Sequence, residues 1–124
     1  YLAEWNARRS RLAAQYLDRL RGVGDLVLPV VSPWATPVWH LFVIRTARRT
    51  ELMKYLSERE IGAQIHYPTP PHLSNAYREA GWRRGDFPGA EKLAETVLSL
   101  PIGPQLSSDQ VAFVCDTVQS FFRS

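Results

Sequence analysis

The chain has 124 residues, of which 45% are hydrophobic and 22% are charged, and its formal net charge is +3. This length predicts one domain with a real core, and the apolar content excludes an intrinsically disordered protein. No apolar run approaches the ~18 residues that a membrane-spanning helix needs, and the single cysteine, Cys115, excludes an internal disulfide and a cysteine-based zinc site.

The basic residues are spread along the chain and are not concentrated in one stripe. They are mostly arginines, and the two lysines are Lys54 and Lys92. A scattered excess of this kind is typical of a solvated surface, so we expect no nucleic-acid partner. The absence of a secretory signal predicts a cytoplasmic protein with no membrane partner. The chain begins without methionine and already in a helical pattern, so we expect it to be a piece of a longer protein.

The first half of the chain predicts two helices and two main strands. Residues 2–21 form the first predicted helix, because large apolar side chains recur along one face. Residues 26–28 are a candidate edge strand. The run 37–45 is rich in β-branched and aromatic residues, which predicts a strand buried on both sides. Residues 48–60 return to helical spacing, and residues 61–66 alternate between apolar and polar as a second strand does.

The second half begins with a segment that is too rich in proline for regular structure. Residues 67–72 contain three prolines in four positions, which favours extended backbone. Residues 73–80 are predicted as a short helix. Another helix is predicted to begin with Asp86 as its N-cap and a proline in its first turn. Residues 97–101 are predicted as a brief strand that ends at proline.

The last predicted helix follows a capping box formed by Ser107 and Gln110. Its buried stripe comprises Val111, Val114, Cys115, Val118, Phe121 and Phe122. The complete order of elements predicts an α+β fold, a small two-layer sandwich in which helices cover a few-stranded sheet. We see no internal boundary, so residues 1–124 are predicted to form a single domain.

One segment, Ile65–His72, has the composition of a binding site. It carries His66, Tyr67 and His72 at the exit of a predicted strand, and its prolines keep the backbone stiff. Polar side chains on a rigid loop at a strand end commonly form a binding site. The alternative is structural: His66 would be a half-buried histidine with a satisfied ring, and His72 would cap a helix.

The sequence predicts no metal site, and it predicts that two other potentially reactive side chains, those of His40 and Cys115, are structural. His66 and His72 have no third ligand nearby, so we expect no metal site. His40 lies in an apolar run and is expected to be a core histidine with a hydrogen-bond partner. Cys115 lies on a buried helical stripe without a basic neighbour, and is expected to be structural. Periodicity and spacing alone therefore predict a domain with one candidate loop and no reaction.

An ordered set of segments resembles a known enzyme family. The segments are Trp5–Leu20, Trp39–Arg45, Arg49–Leu56, Ile61–His72, Ala76–Tyr77, Gly85–Pro88, Ala90–Glu91 and Leu98–Pro104. Together they resemble the C-terminal part of the DegT-type nucleotide-sugar aminotransferases. Those enzymes use pyridoxal phosphate (PLP) and have the aspartate-aminotransferase fold.

The resemblance implies a function for the chain and roles for its candidate loop. Enzymes of this type transfer an amino group from glutamate or glutamine to a keto sugar of a nucleoside-diphosphate sugar, with PLP as the electron sink. The small C-terminal domain closes the active site and contributes sugar contacts. The matching positions imply that His66, Tyr67, Pro68 and His72 bind substrate, with His72 mainly shaping the loop. The form of the loop resembles enzymes that act on dTDP-linked 3-keto-6-deoxyhexoses, with a cyclitol aminotransferase as the alternative. The arginine-rich composition suits a pathway to an antibiotic sugar, and the resemblance also implies a homodimer.

One departure limits what the chain can do alone. The Schiff-base lysine and the PLP contacts of the family belong to a large N-terminal domain, and neither Lys54 nor Lys92 lies in a motif that resembles the lysine site. We therefore expect no catalytic residue, no cofactor-binding residue and no transamination in this chain by itself. The alternative is a free-standing, non-catalytic module for small-molecule binding or dimerisation.

Overall fold

Helices and strands alternate irregularly along the chain. The computed structural model describes all of residues 1–124. The α-helices are α1 (Leu2–Arg19), α2 (Arg49–Ser57), α3 (Pro88–Thr96) and α4 (Ser108–Arg123), and the strands are β1 (Phe42–Arg45) and β2 (Val97–Leu100). Two 3-10 helices, Pro71–Leu73 and Asn75–Ala80, lie between α2 and α3. No helix combines the length and the apolar character needed to cross a membrane.

The two strands form an antiparallel sheet whose two faces differ in chemistry. In the register, Phe42 pairs with Leu100 and Ile44 pairs with Leu98. These four side chains are 0–3% exposed and face the helices, because directly opposed residues lie on the same face of a sheet. Ser99 alternates with them and therefore lies on the other face. The predicted α+β sandwich, helices over a few-stranded sheet, is confirmed.

The core lies between the sheet and the helices α1, α2 and α4. Its fully buried members include Tyr16, Leu20, Leu52 and Val118. The rings of Tyr16 and Phe42 stack with centroids 4.7 Å apart, and the Tyr16 hydroxyl donates to the Pro101 carbonyl at 2.7 Å. The polar end of this large buried ring therefore has a partner inside the core.

The final helix has the predicted start, and the residues of its predicted buried stripe are buried except for Phe122, which is half-buried. The Ser107 side chain accepts from the Gln110 amide at 3.1 Å, and the Gln110 side chain accepts from the Ser107 amide at 2.9 Å. Cys115 is fully buried on the core side of α4, and burial raises the pKa of its thiol to about 11. The structural role expected for Cys115 agrees with this position.

Two of the predicted strands are shorter than expected. The first begins at Phe42 instead of residue 37, because Trp39 has a φ of 52° and interrupts the extended backbone. Residues 61–66 contain one bridge, in which Gln64 pairs with Ser99. Continuing that register would place Pro101 opposite Gly62, and proline has no amide hydrogen to donate. The candidate edge strand at 26–28 is also one bridge, Val27 with Arg45.

Two helix predictions were wrong in detail. The predicted helix 73–80 is a pair of 3-10 helices, because Ser74 is extended between them with φ −76° and ψ 154°. Asp86 is not the N-cap of α3: that position is Phe87, without a side-chain cap. The Asp86 carboxylate accepts a hydrogen bond from the Arg83 amide at 2.8 Å, so it closes the preceding turn.

Candidate functional site

The candidate loop begins at a cleft on the sheet face opposite the core. The cleft has a volume of about 220 Å³ and is bordered by four polar side chains, those of His40, Gln64, His66 and Ser99. The rest of its lining is apolar side chains and backbone from Leu41, Gly62 and residues 100–102. Such a mixture of apolar wall and few polar groups is typical of small-molecule sites.

Backbone pairing explains why three of these side chains meet. The Ser99 amide donates to the Gln64 carbonyl at 2.7 Å, and the Gln64 amide donates to the Ser99 carbonyl at 3.1 Å. Gln64 and Ser99 therefore lie directly opposite each other and share a face. His66 is two residues beyond Gln64 and lies on the same face. Its Nδ1 is 2.8 Å from the Ser99 Oγ, so the histidine ring is held at the cleft.

Tyr67 and Pro68 continue from His66 into solvent. The Tyr67 ring is 73% exposed and meets the His66 ring edge to face, with centroids 5.3 Å apart. Pro68 is also exposed, and the His66–Tyr67 peptide bond is cis. Three of the four predicted substrate-binding residues, His66, Tyr67 and Pro68, are thus adjacent in the chain, and of these only His66 lines the cleft.

The fourth predicted residue, His72, lies in a different environment. It is 6% exposed, and its Nε2 is 3.1 Å from Oε1 of Glu91 in α3. The Phe87 ring covers the imidazole edge to face, at 4.9 Å between centroids. His72 therefore points into the body of the domain. This geometry favours the part of its predicted role in which it shapes the loop.

Glu91 joins this end of the loop to the start of α3. Both of its carboxylate oxygens accept from the Gly85 amide, at 2.7 and 3.0 Å. The hydrogen bond from Gly85 is the main cause that lowers the pKa of Glu91, with further contributions from His72 and Arg84 against the opposing effect of burial. The carboxylate is thus stabilised in its charged form.

Sequence reasoning missed two residues of the cleft. His40 was expected in the core, but it is exposed and lines the cleft immediately before β1. The apolar run around it suggested burial, whereas the turn at Trp39 removes it from the strand. Ser99 lies in the segment 97–101, for which the sequence predicted only a brief strand. A usable signal was its position as the only polar residue within an apolar strand, Val97–Leu100.

The described side chains do not assemble a metal site. No group of three histidine, cysteine, aspartate or glutamate residues is close enough together to hold an ion. His66 is bound to Ser99 and His72 to Glu91, so the two rings of the loop serve different partners.

Comparison with known proteins gives consistent matches along nearly the whole chain. The family model described as the DegT/DnrJ/EryC1/StrS aminotransferase family matches residues 1–119. A dTDP-3-amino-3,4,6-trideoxy-alpha-D-glucose transaminase from Streptomyces venezuelae is 49% identical over 98% of this chain and 32% of its own length. The erythromycin biosynthesis sensory transduction protein EryC1 from Saccharopolyspora erythraea is 47% identical over 97% of this chain and 33% of its own length.

Solved structures also match nearly the whole of this chain. The crystal structure of S. venezuelae DesV in complex with a ketimine intermediate superposes with a TM-score of 0.94 and 48% identity. The match covers 97% of this chain and 32% of that one. The chain therefore spans about a third of the length of the relatives that it matches.

Proposed function

Because the chain belongs to the DegT/DnrJ/EryC1/StrS aminotransferase family, we propose that residues 1–124 form the small C-terminal domain of a longer aminotransferase. That enzyme transfers an amino group from glutamate or glutamine to a keto sugar of a nucleoside-diphosphate sugar. The observation that carries the proposal is the match of the family model to residues 1–119. The substrate class is proposed for the longer protein, since this chain spans about a third of its relatives.

The proposed substrate is a dTDP-linked 3-keto-6-deoxyhexose. Support comes from the S. venezuelae relative, whose name describes a dTDP-3-amino sugar transaminase, at 49% identity. The erythromycin biosynthesis protein, at 47% identity, supports a place in the making of an antibiotic sugar. We further propose that the enzyme is a homodimer that works in the cytoplasm.

Within this domain, His66, Tyr67 and Pro68 are the proposed sugar contacts. His66 uses Nδ1 for Ser99, and its Nε2 makes no hydrogen bond within the chain. A ring held at one nitrogen and free at the other is suited to hydrogen-bond an oxygen of a ligand. The exposed Tyr67 ring meets the His66 ring edge to face, and Pro68 fixes the backbone beside it. His72, bound to Glu91, is proposed to hold the far end of the loop in place.

The domain is also proposed to close the active site of the longer enzyme. Its open cleft presents His40, Gln64 and His66 on the sheet face that the core helices do not cover. A second part of the enzyme is needed on that side to enclose a ligand, because a 220 Å³ cleft is small for a nucleotide sugar. Closure would remove water from the reacting centre.

The residues of this chain do not fit PLP. A PLP enzyme needs a lysine amine for the Schiff base and an acidic partner for the pyridine nitrogen. No lysine and no carboxylate lines the cleft, and the side chain of Lys54 on α2 is 79% exposed. Lys92 on α3 is exposed as well. We therefore propose that the cofactor is held by the remainder of the longer enzyme, and that this chain alone does not transaminate.

The decisive experiment replaces His66 in the full-length enzyme. His66→Ala removes one hydrogen bond to the sugar nucleotide, so we expect kcat/KM for that substrate to fall by about ten-fold. The half-reaction with the amino donor alone, followed by the absorbance of the cofactor, should be unchanged. Lys54→Ala and Lys92→Ala are matched controls and should retain full activity, because neither amine is proposed to bind the cofactor.

Two results would contradict parts of the proposal. Unchanged kinetics in His66→Ala would remove His66 from the site while leaving the family assignment intact. Loss of the cofactor absorbance in Lys54→Ala or Lys92→Ala would show that this chain does supply the Schiff base. The alternative function, a free-standing binding module, predicts instead that the 124-residue chain binds a dTDP-sugar by itself without any amino transfer.

A further inference from the structure

The Ser99 hydroxyl is hydrogen-bonded to Nδ1 of the His66 ring and has no other hydrogen-bond partner. Ser99 is 5% exposed in the middle of β2, and its Oγ is 2.8 Å from His66 Nδ1. No buried side-chain oxygen or nitrogen in the chain is left without a partner. The contact to His66 is therefore what satisfies this buried hydroxyl.

The direction of that hydrogen bond follows from where the hydroxyl hydrogen can go. A hydroxyl carries one hydrogen and can also accept. If Nδ1 carried the proton and donated to Ser99, the hydroxyl hydrogen would be left without an acceptor in the protein, because the Ser99 Oγ makes no other hydrogen bond. If Ser99 donates to Nδ1, its hydrogen is satisfied and no buried donor is left over. The second arrangement is the favourable one, and it places the imidazole proton on Nε2.

We propose that Ser99 is a positioning residue that fixes His66 as the Nε2–H tautomer and so makes it a hydrogen-bond donor toward the cleft. The backbone pair Gln64–Ser99 supports the geometry, because its two hydrogen bonds hold strand 97–100 against the segment that carries His66. A donor at this place selects an acceptor oxygen of the sugar nucleotide. That last step rests on the function proposed above, whereas the tautomer exists without any substrate.

The test measures the tautomer directly by nuclear magnetic resonance. The 124-residue chain is labelled with ¹⁵N, and the two ring nitrogens of His66 are assigned at a pH where the imidazole is neutral. In the unsubstituted chain we expect Nε2 in the protonated range and Nδ1 in the unprotonated range. Ser99→Ala removes the hydroxyl, and the ratio of the two tautomers should change by roughly five-fold, which shifts both resonances toward each other.

A rescue and a control separate positioning from general packing. Ser99→Thr keeps a hydroxyl on a residue type that suits a strand, and should restore the shifts of the unsubstituted chain. Thr117→Val removes another buried hydroxyl, one that donates to the Phe113 carbonyl in α4, and should leave the His66 shifts unchanged. Backbone amide spectra show in parallel that each variant is folded.

Three observations would overturn the assignment of Ser99. They are a proton on Nδ1 in the unsubstituted chain, His66 shifts that are the same in Ser99→Ala, and a folded Ser99→Thr that behaves like Ser99→Ala. Kinetics of the full-length enzyme keep the two proposals apart. Ser99→Ala should lower kcat/KM by roughly five-fold and add nothing to His66→Ala. A changed tautomer with unchanged kinetics would overturn the binding role of His66 and support the role of Ser99.

Discussion

His66 and His72 are six positions apart and have opposite surroundings. His66 is half-buried and offers one free nitrogen to an open cleft, while His72 is 6% exposed and faces a carboxylate. A sequence pattern cannot separate these two cases, because the two histidines lie at opposite ends of one proline-rich segment and both are chemically able to bind a ligand. The difference arises from what lies opposite each ring, a serine in β2 for one and Glu91 in α3 for the other.

Acid should weaken the domain through Glu91. Its pKa in the folded chain is below the ordinary value of 4.5, chiefly because the Gly85 amide donates to the carboxylate. A depressed folded pKa gives stability that is fully present above the ordinary value and is lost as the pH falls through the folded pKa. We therefore expect the urea midpoint to be constant between neutral pH and about pH 5, and to fall below about pH 4.5.

The matched comparison for this prediction uses two glutamates of the same helix. Glu91→Gln cannot ionise, so its urea midpoint should fall less steeply below about pH 4.5. Glu95 is exposed and paired only loosely with Arg84, at 3.7 Å, so Glu95→Gln should follow the unsubstituted chain. Equal acid dependence in all three proteins would show that Glu91 does not contribute.

At the scale of elements, the start of α4 is the feature that the sequence predicted best. The capping box of Ser107 and Gln110 is formed by residues three positions apart, and local spacing is enough to predict it. The same holds for the apolar stripe on the helix. Elements that depend on distant partners were predicted less well: residues 61–66 have alternating side chains, but their pairing is limited by the register of β2 and by Pro101.

Loss of the cap should destabilise the domain by a measurable amount. Ser107→Ala removes the oxygen that accepts from the Gln110 amide, and we expect the free energy of unfolding to fall by about 1 kcal/mol. Ser120 lies inside the same helix and its side chain makes no hydrogen bond, so Ser120→Ala is the control. Urea unfolding of both variants at neutral pH gives the comparison, and an equal change in the two would contradict the capping argument.

At the scale of the whole molecule, the fold depends on the apolar face of the sheet, which packs against the helices. Leu98 is fully buried and lies directly opposite Ile44, so it joins the strand pair to the helices behind it. The predicted fold class was correct because the spacing of apolar residues indicates which side chains are buried, even where the predicted ends of the strands were wrong. The cleft could not be predicted in full, since Ser99 enters it through its pairing with Gln64 and His40 enters it through a turn at Trp39. The sequence marks Ser99 as a polar residue in an apolar strand, but it does not show which residues lie opposite.

A cavity at Leu98 should remove a large part of the free energy of unfolding of the domain. Leu98→Ala is expected to lower the free energy of unfolding by about 2–5 kcal/mol, against the roughly 5–15 kcal/mol of a typical domain. Leu93 on α3 is 46% exposed, and Leu93→Ala should lose under about 1 kcal/mol. Urea midpoints of the two variants check the prediction, and similar losses would place Leu98 outside the main core.

The helix α3 continues into β2 without an intervening loop, since α3 ends at Thr96 and β2 begins at Val97. Glu91 and Ser99 belong to this uninterrupted piece, and each is bonded to one histidine of the candidate loop. A segment fixed at both ends to one stiff element moves with that element as a single body. The curvature of residues 66–72 is therefore set by the spacing between Glu91 and Ser99 along this one piece of chain.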